Sequence, residues 1–204
     1  MTKEQLNIQS IQLCLDFANT LDWHASEHPV ETINSYADLA SWASKAGLLS
    51  EKLAQQLQRA AARQTADANK IVTQARTLRE AIYEILVASA HRKTPRAGDV
   101  DTFNTILGSY LAQSQLIRKN EEFTWAWAGR EDALDQMLWG VARSAADLLT
   151  SPELQRVGQC ADDRGCGYLF FDTSKNHTRQ WCSMRGCGNR AKAKRHYEKV
   201  KNEE

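Results

Sequence analysis

The residues with the clearest chemical potential lie toward the end of the chain. They are Cys160-Ala-Asp-Asp-Arg-Gly-Cys166 and, fifteen residues later, Cys182-Ser-Met-Arg-Gly-Cys187. Two close cysteine pairs at this separation have the spacing of a tetrathiolate zinc site. Each short loop brings two sulfurs to one side of an ion, and the longer loop brings the pairs together. Four sulfurs complete the usual shell and leave no position for water, so one structural Zn²⁺ is expected rather than a catalytic one. Disulfides are the alternative, and a reducing compartment favours the metal. His177 and His196 stand close enough in sequence to replace a sulfur, but four cysteines already suffice. Gly165, Gly167, Gly186 and Gly188 flank the second cysteine of each pair and permit tight turns there. Between the pairs, Gly167-Tyr-Leu-Phe-Phe-Asp172 reads as an apolar strand that packs under the metal. A segment of about 45 residues buries too little apolar surface to fold alone, and metal binding is expected to supply the difference.

The second chemical signal is charge. From Thr173 to Asn202 there are nine basic residues and one acid, Glu198. Nothing after Gly188 breaks a helix. On such a helix Lys192, Arg195 and Lys199 line one flank and Arg190, Lys194 and Lys201 the other, with Ala193, Tyr197 and Val200 as a narrow apolar seam expected to sit against the finger. A zinc-anchored basic helix suits a major groove or a phosphate track. The expected nucleic-acid contacts are Lys175, Arg179, Arg190, Lys192, Lys194, Arg195 and Lys199. Arg190 and Asn189 also lie directly behind the fourth sulfur, where they are expected to orient the knuckle. A solvated terminal helix is the alternative, although solvated helices usually mix signs.

The third segment is Leu13-Cys-Leu-Asp16-Phe-Ala-Asn19-Thr20-Leu-Asp-Trp23-His24. In a helix Asp16, Asn19, Thr20 and Trp23 share a face beside Leu13 and Phe17. They either line a ligand pocket or cap the helix and tie the core with local hydrogen bonds. Cys14 reads as core filling. His24 and His28 are four apart, but Pro29 follows at once and no metal site is assigned to them.

These residues must be positioned by something, and residues 1–150 read as largely helical. Ile71, Ala75, Leu78, Ile82, Leu86 and Ser89 recur at helical spacing, with Asp67 as the expected N-cap and Pro95 as the stop. Leu134, Leu138, Val141, Ala145 and Leu148 form a second apolar face, expected to be capped near Glu131 or Asp132. Further helices fit Ser35–Ala46, ended by Gly47; Glu51–Gln64, capped by Ser50; and Asp99–Ala112. Leu116–Trp127 breaks the pattern: Phe123, Trp125 and Trp127 alternate, and Lys119-Asn120-Glu121 makes a turn, predicting a small β-hairpin. Six tryptophans are expected to anchor the core.

The 204 residues are 42% hydrophobic and 25% charged, an ordinary globular balance. The formal net charge of +1 hides a split. Residues 1–150 carry 15 Lys and Arg against 18 Asp and Glu, a net −3, whereas residues 151–204 carry 11 against 7, a net +4. A basic working end on a mildly acidic body is the pattern this suggests. No stretch approaches a membrane span, and Met1-Thr-Lys-Glu-Gln5 lacks the apolar run of a signal peptide, so a cytoplasmic location is expected.

These residues carry a resemblance. Arg179-Gln-Trp-Cys182-Ser-Met184, continuing through Cys187-Gly-Asn-Arg190-Ala-Lys192, is similar to the signature of the CGNR zinc-finger family, and Leu169-Phe-Phe-Asp-Thr-Ser174 also fits it. The early Leu13–Thr20 run resembles the start of the ABATE domain that precedes that finger in the family. The resemblance implies bacterial stress-induced transcription regulators, with a helical N-terminal domain, a C-terminal finger, and Cys160, Cys166, Cys182 and Cys187 as ligands. The loop from Cys160 to Cys166 is one residue longer than expected for the family.

The fold expected is therefore mainly α: a helical domain over 1–150 with a small β-hairpin, then a treble-like zinc finger over 151–204 ending in a basic helix. The expected function is a DNA-binding transcriptional regulator whose helical part senses a small-molecule effector or forms a homodimer. A protein-interaction or RNA-binding finger is the alternative, with Trp181, Tyr168 or Phe170 available to stack on bases. An enzyme built on Asp16, Asn19 and His24 is disfavoured, since no nucleophile–base spacing or phosphate-binding glycine loop accompanies them.

Overall fold

The computed structural model describes residues 8–201, with no account of the side chains of residues 8–10. The expectation about Met1–Gln5 lies outside the described residues. In chain order the elements are α1 (Ile8–Ala18), β1 (Leu21–Asp22), β2 (Val30–Glu31), α2 (Tyr36–Lys45), α3 (Glu51–Arg63), α4 (Thr65–Ala90), α5 (Ala97–Leu111), β3 (Ser114–Lys119), β4 (Glu122–Trp127), α6 (Gln136–Leu149), a 3₁₀ turn (Pro152–Arg156), β5 (Val157–Gln159), β6 (Leu169–Phe171), a wide turn (Met184–Gly188) and α7 (Asn189–Lys201). The strands pair only as antiparallel couples: β1 with β2, β3 with β4, and β5 with β6. The fold is mainly α, as the periodicity predicts.

Local signals set several boundaries. Ser35 and Asp38 form a reciprocal capping box at the start of α2, and Gly47 follows its end at φ +77°. The Ser50 hydroxyl accepts from the Leu53 amide at the start of α3. Two expected caps are displaced. Helix α4 begins at Thr65, so Asp67 lies inside the first turn, where a carboxylate favours the helix dipole. Helix α6 begins after Asp135, because the Asp132 carboxylate is held by Arg130 at 2.8 and 2.7 Å and does not cap.

The core gathers around α4 and α6. Ala75, Leu78, Ile82 and Leu86 of α4, and Leu138, Val141, Ala145 and Leu148 of α6 with Leu134 ahead of it, are all buried. Cys14 is fully enclosed, and burial pushes its thiol up to about 12, which leaves it a core residue. The tryptophans fill the expected role in part: all six keep some exposure, Trp42, Trp127 and Trp139 pack against the core, and the largest fully enclosed side chains are Tyr110, Phe17, Met137 and several Leu and Ile. The core also runs past residue 150. Val157, Leu169 and Phe171 of β5 and β6 belong to the same apolar cluster as α1 and α4. The Leu169–Phe171 run therefore packs chiefly against the helical body rather than under the metal cluster.

The β3–β4 hairpin forms where expected. Asn120 takes φ +59° in its two-residue turn, a conformation asparagine tolerates.

Candidate metal centre and its basic helix

The cysteine cluster is assembled by three tight backbone features. Cys160 follows β5, and its amide donates to the Tyr168 carbonyl at 2.9 Å. Cys166 sits between Gly165 at φ +86° and Gly167 at φ +65°. Cys187 lies in the wide turn, where the Ser183 hydroxyl accepts from the Gly186 amide and the Ser183 carbonyl accepts from the Gly188 amide. The Ala161 amide, donating to the Gln180 carbonyl at 2.9 Å, joins the two knuckles.

One sulfur from each of Cys160, Cys166, Cys182 and Cys187 lies within 4.8 Å of every other. The Cys166–Cys182 and Cys182–Cys187 sulfurs are 3.8 and 3.6 Å apart. A tetrahedral zinc with Zn–S bonds of about 2.3 Å separates its sulfurs by about 3.8 Å, whereas a disulfide needs about 2.05 Å. All five cysteines are free, and the donor set fits one zinc ion. Burial pushes the Cys182 thiol up to about 12 and raises Cys187 as well, whereas hydrogen bonds outweigh burial at Cys160 and lower it. A zinc ion held by Cys160, Cys166, Cys182 and Cys187 would favour their thiolate forms and would contribute to the folding of the finger.

The surroundings are cationic. Arg190 places Nη2 3.1 Å from the Cys187 sulfur and 3.4 Å from Asp162. Arg164 grips the same Asp162 at 3.0 and 2.9 Å, and the hydrogen bond from Arg164 is the main cause holding that carboxyl well below its usual range. Lys194 pairs with Asp163. Arg190 and Lys194 thus turn one flank of α7 toward the acidic first knuckle. The helix is consequently oriented differently from the expectation. The Ala193–Tyr197–Val200 seam does not sit against the finger: Tyr197 is 70% exposed, and no residue of α7 is buried. Two salt bridges to Asp162 and Asp163 fix the helix in place of the seam.

The other expected contact residues separate in a clear way. Arg179 stays exposed but is tied to the finger backbone, donating to the carbonyls of Trp181, Cys182 and Phe171 with its guanidinium 4.3 Å from the Phe170 ring. Phe170 is buried beneath it, while Trp181 is half-buried with Arg195 over its ring. Lys192 and Lys199 occupy the α7 flank opposite Arg190 and Lys194, whereas Arg195, expected on the same flank as them, turns toward Trp181. Lys192 and Lys175 are exposed, and neither has a carboxylate in ion-pair range among the described residues.

The early polar segment is used to dock this centre. Helix α1 stops at Ala18, and Asp16 faces outward, accepting from Gln12 at 2.6 Å. The Asn19 amide donates to the Leu169 carbonyl and accepts from the Leu169 amide, both at 2.8 Å. The Thr20 hydroxyl donates to the Phe17 carbonyl. Trp23, at φ +54°, lies under the guanidinium groups of Arg164 and Arg190. The four residues therefore do not converge on one face. His24 does not pair with His28; it bonds Glu80 at 2.9 Å and stacks on Tyr83.

Sequence reasoning missed two parts of this junction. The Tyr83 hydroxyl donates to the Gly167 carbonyl at 2.8 Å and accepts from Gln159, so α4 reaches the zinc knuckle directly. Arg79, 3% exposed, is held bidentately by Glu31 at 2.7 and 2.8 Å and by Glu80 at 2.9 Å. For Arg79 the advance sign was a charged residue among the apolar positions of α4; nothing in the sequence singled out Tyr83.

The fold and this centre define a mainly helical protein carrying a tetrathiolate zinc finger with a basic terminal helix. Residues 12–152 match the ABATE family, described as a putative stress-induced transcription regulator, and residues 156–200 match the CGNR zinc finger. The chain belongs to the ABATE family, with a CGNR finger at its C-terminal end. No curated protein matches the chain closely. Among the described residues no helix is long and apolar enough to cross a membrane.

Proposed function

We propose that the chain is a cytoplasmic DNA-binding regulator rather than an enzyme, in which residues 151–204 contact the duplex and residues 1–150 carry sensing or self-association. The observation that carries this reading is the asymmetry of α7. One flank is committed to the zinc knuckle through Arg190 and Lys194, the opposite flank exposes Lys192 and Lys199, and Arg195 stands between them beside Trp181. A helix oriented by its own finger with an outward basic flank is arranged to meet phosphates. Lys175 adds charge, whereas Arg179, Arg190 and Lys194 act mainly by holding the finger in shape.

An effector bound at Asp16, Asn19, Thr20 and Trp23 is the less supported half of the reading. It would have to compete with the Leu169 backbone for Asn19 and with two arginines for Trp23. RNA or a protein partner in place of duplex is the second reading. The inward placement of Phe170 and Trp181 leaves less surface for base stacking than RNA recognition normally uses.

The test is anisotropy of labelled duplex DNA and single-stranded RNA of mixed sequence, titrated with zinc-loaded protein over a range of salt. Binding to duplex that weakens steeply with salt, and is lost in the triple Lys192→Glu, Arg195→Glu, Lys199→Glu variant, is expected. Absence of salt-sensitive binding to either nucleic acid would overturn the reading. Unchanged nucleic-acid binding in the triple variant would move the function to a protein partner.

A further inference from the structure

The β3–β4 hairpin is not explained by the metal centre or by the basic helix. It touches the body near its base. Trp127 lies between Tyr110 and Trp139, the Trp139 indole donates to the Ser114 hydroxyl, and Arg143 sits over Trp125. The rest projects outward. The register places Leu116 directly opposite Trp125, and Arg118 opposite Phe123, on the same face as Trp127. That face is an apolar ladder leaving the body, with Leu116 58%, Phe123 72% and Trp125 41% exposed. A two-stranded hairpin is at best marginal in water, and its two outer edges carry unpaired backbone groups.

We infer that this hairpin is the homodimer interface, its apolar ladder and strand edges covered by a second copy of the chain. Charge selects this occupant. The tip is neutral and internally matched: Arg118 pairs with Glu121 at 3.3 Å, and Lys119 stands opposite Glu122. A surface of that kind does not attract a polyanion, and it meets an identical surface about a two-fold axis without like-charge repulsion. The exposed ladder offers roughly half of the ~800 Å² that each partner of a standard interface buries. The strand edges and exposed Leu111 at the end of α5 extend it. The inference deepens the self-association assigned above to residues 1–150. It does not rest on DNA binding, and a two-fold pair would carry two basic helices to one duplex.

The experiment is sedimentation equilibrium of the full zinc-loaded chain over a wide concentration range, with hydrogen exchange at β3 and β4 and duplex binding measured in parallel. The wild type is expected to dimerise, with β3 and β4 amides becoming more protected as concentration rises. Phe123→Asp and Trp125→Ser should shift the dimer dissociation constant upward at least tenfold with helical circular dichroism unchanged. Phe123→Leu, which keeps an apolar side chain, should retain the dimer if Phe123→Asp acts through the interface. A wild type that stays monomeric throughout overturns the inference. So does a dimer whose constant is unmoved by both substitutions. Hairpin variants that lose duplex binding while dimerising normally would assign the hairpin to nucleic acid instead. Salt-insensitive DNA binding with an intact, substitution-sensitive dimer would remove the regulatory reading and leave this one standing.

Discussion

The side chain of Asn19 and the backbone of Leu169, 150 positions apart, exchange two hydrogen bonds of 2.8 Å. Asn19 thereby stands in for a neighbouring strand at β6, satisfying a donor and an acceptor that the short β5–β6 pair leaves open. The zinc finger is consequently joined to α1 by a specific polar clasp as well as by the apolar contacts of Leu169 and Phe171.

Breaking the clasp should weaken the whole fold. Asn19→Ala leaves both Leu169 groups without partners at a half-buried site, a loss of about 1–3 kcal/mol. Asn19→Asp keeps an acceptor for the Leu169 amide but sets a carboxylate against its carbonyl, so it should not restore stability. Urea denaturation of the zinc-loaded protein measures both. Stability within about 0.5 kcal/mol of wild type in Asn19→Ala would show that the apolar contacts alone hold the finger.

The glycines of the two knuckles should respond differently. A Cβ on Gly167 would lie 2.7 Å from the Ala25 nitrogen and from the Tyr83 hydroxyl oxygen, at φ +65°. A Cβ on Gly186 would meet nothing closer than 3.8 Å. Gly167→Ala is therefore expected to cost at least about 2 kcal/mol, from left-handed strain plus the clash. Gly186→Ala should stay within about 0.5 kcal/mol. Thermal unfolding with zinc content measured on the same samples distinguishes these outcomes.

How much of this was legible in advance varies with the range of the interaction. Ser35, Ser50 and Gly47 act on their own helix ends, and their positions in the chain are sufficient to place those ends. The four cysteines are legible for the same reason, since loop length governs which sulfurs meet. The Asn19–Leu169 clasp and the Tyr83–Gly167 bond join distant segments, and no local pattern selects one amide or hydroxyl over another. The orientation of α7 misled for a different reason. Apolar periodicity favoured the Ala193–Tyr197–Val200 seam, but three small or half-polar side chains bury little surface, and the carboxylates of Asp162 and Asp163 compete better for the helix.

Zinc removal should unfold the finger and spare most of the body. Thiolate ligands bind protons in competition with the metal, so zinc is held more weakly as pH falls. Chelation, or Cys182→Ser, is expected to abolish the stoichiometric zinc and the helical signal of α7 while most of the α1–α6 signal remains. Mass spectrometry under native conditions and circular dichroism report the two effects. Unfolding of α1–α6 together with the finger would mean that the shared core around Leu169 and Phe171 depends on the metal.

The buried Arg79 cluster predicts an acid limit. Burial alone would raise Glu31, but hydrogen bonds and charge from Arg79 outweigh it and hold its carboxyl below the ordinary value near 4.5. Glu80 is lowered in the same sense, with His24 and Arg79 overcoming its burial. A depressed folded value means stabilisation fully present above the unfolded value and lost as pH falls through the folded one. Stability should therefore be maintained at neutral pH and decline from about pH 4.5 downward. Glu31→Gln should cost about 2–3 kcal/mol at pH 7, less than a fully buried pair because Glu31 keeps contact with water. It should also flatten the acid side of a plot of urea midpoint against pH. An unchanged acid slope would exclude Glu31 as a source of the decline.

The two flanks of α7 should separate in the salt dependence of DNA binding. Each phosphate neutralised on duplex DNA contributes about −0.9 to the slope of log affinity against log salt. If Lys192, Arg195 and Lys199 each meet one phosphate, replacing all three with Gln makes the slope shallower by about 2.7. Arg190→Ala acts otherwise, because its guanidinium serves the Cys187 sulfur, Asp162 and the Trp23 ring. It should lower zinc affinity and the thermal midpoint of the finger, and leave the slope of the zinc-saturated protein within about one unit of wild type. Titrations at several salt concentrations with zinc in excess provide both slopes. A larger slope change in Arg190→Ala than in the triple variant would reverse the assignment and place the duplex on the knuckle-facing flank.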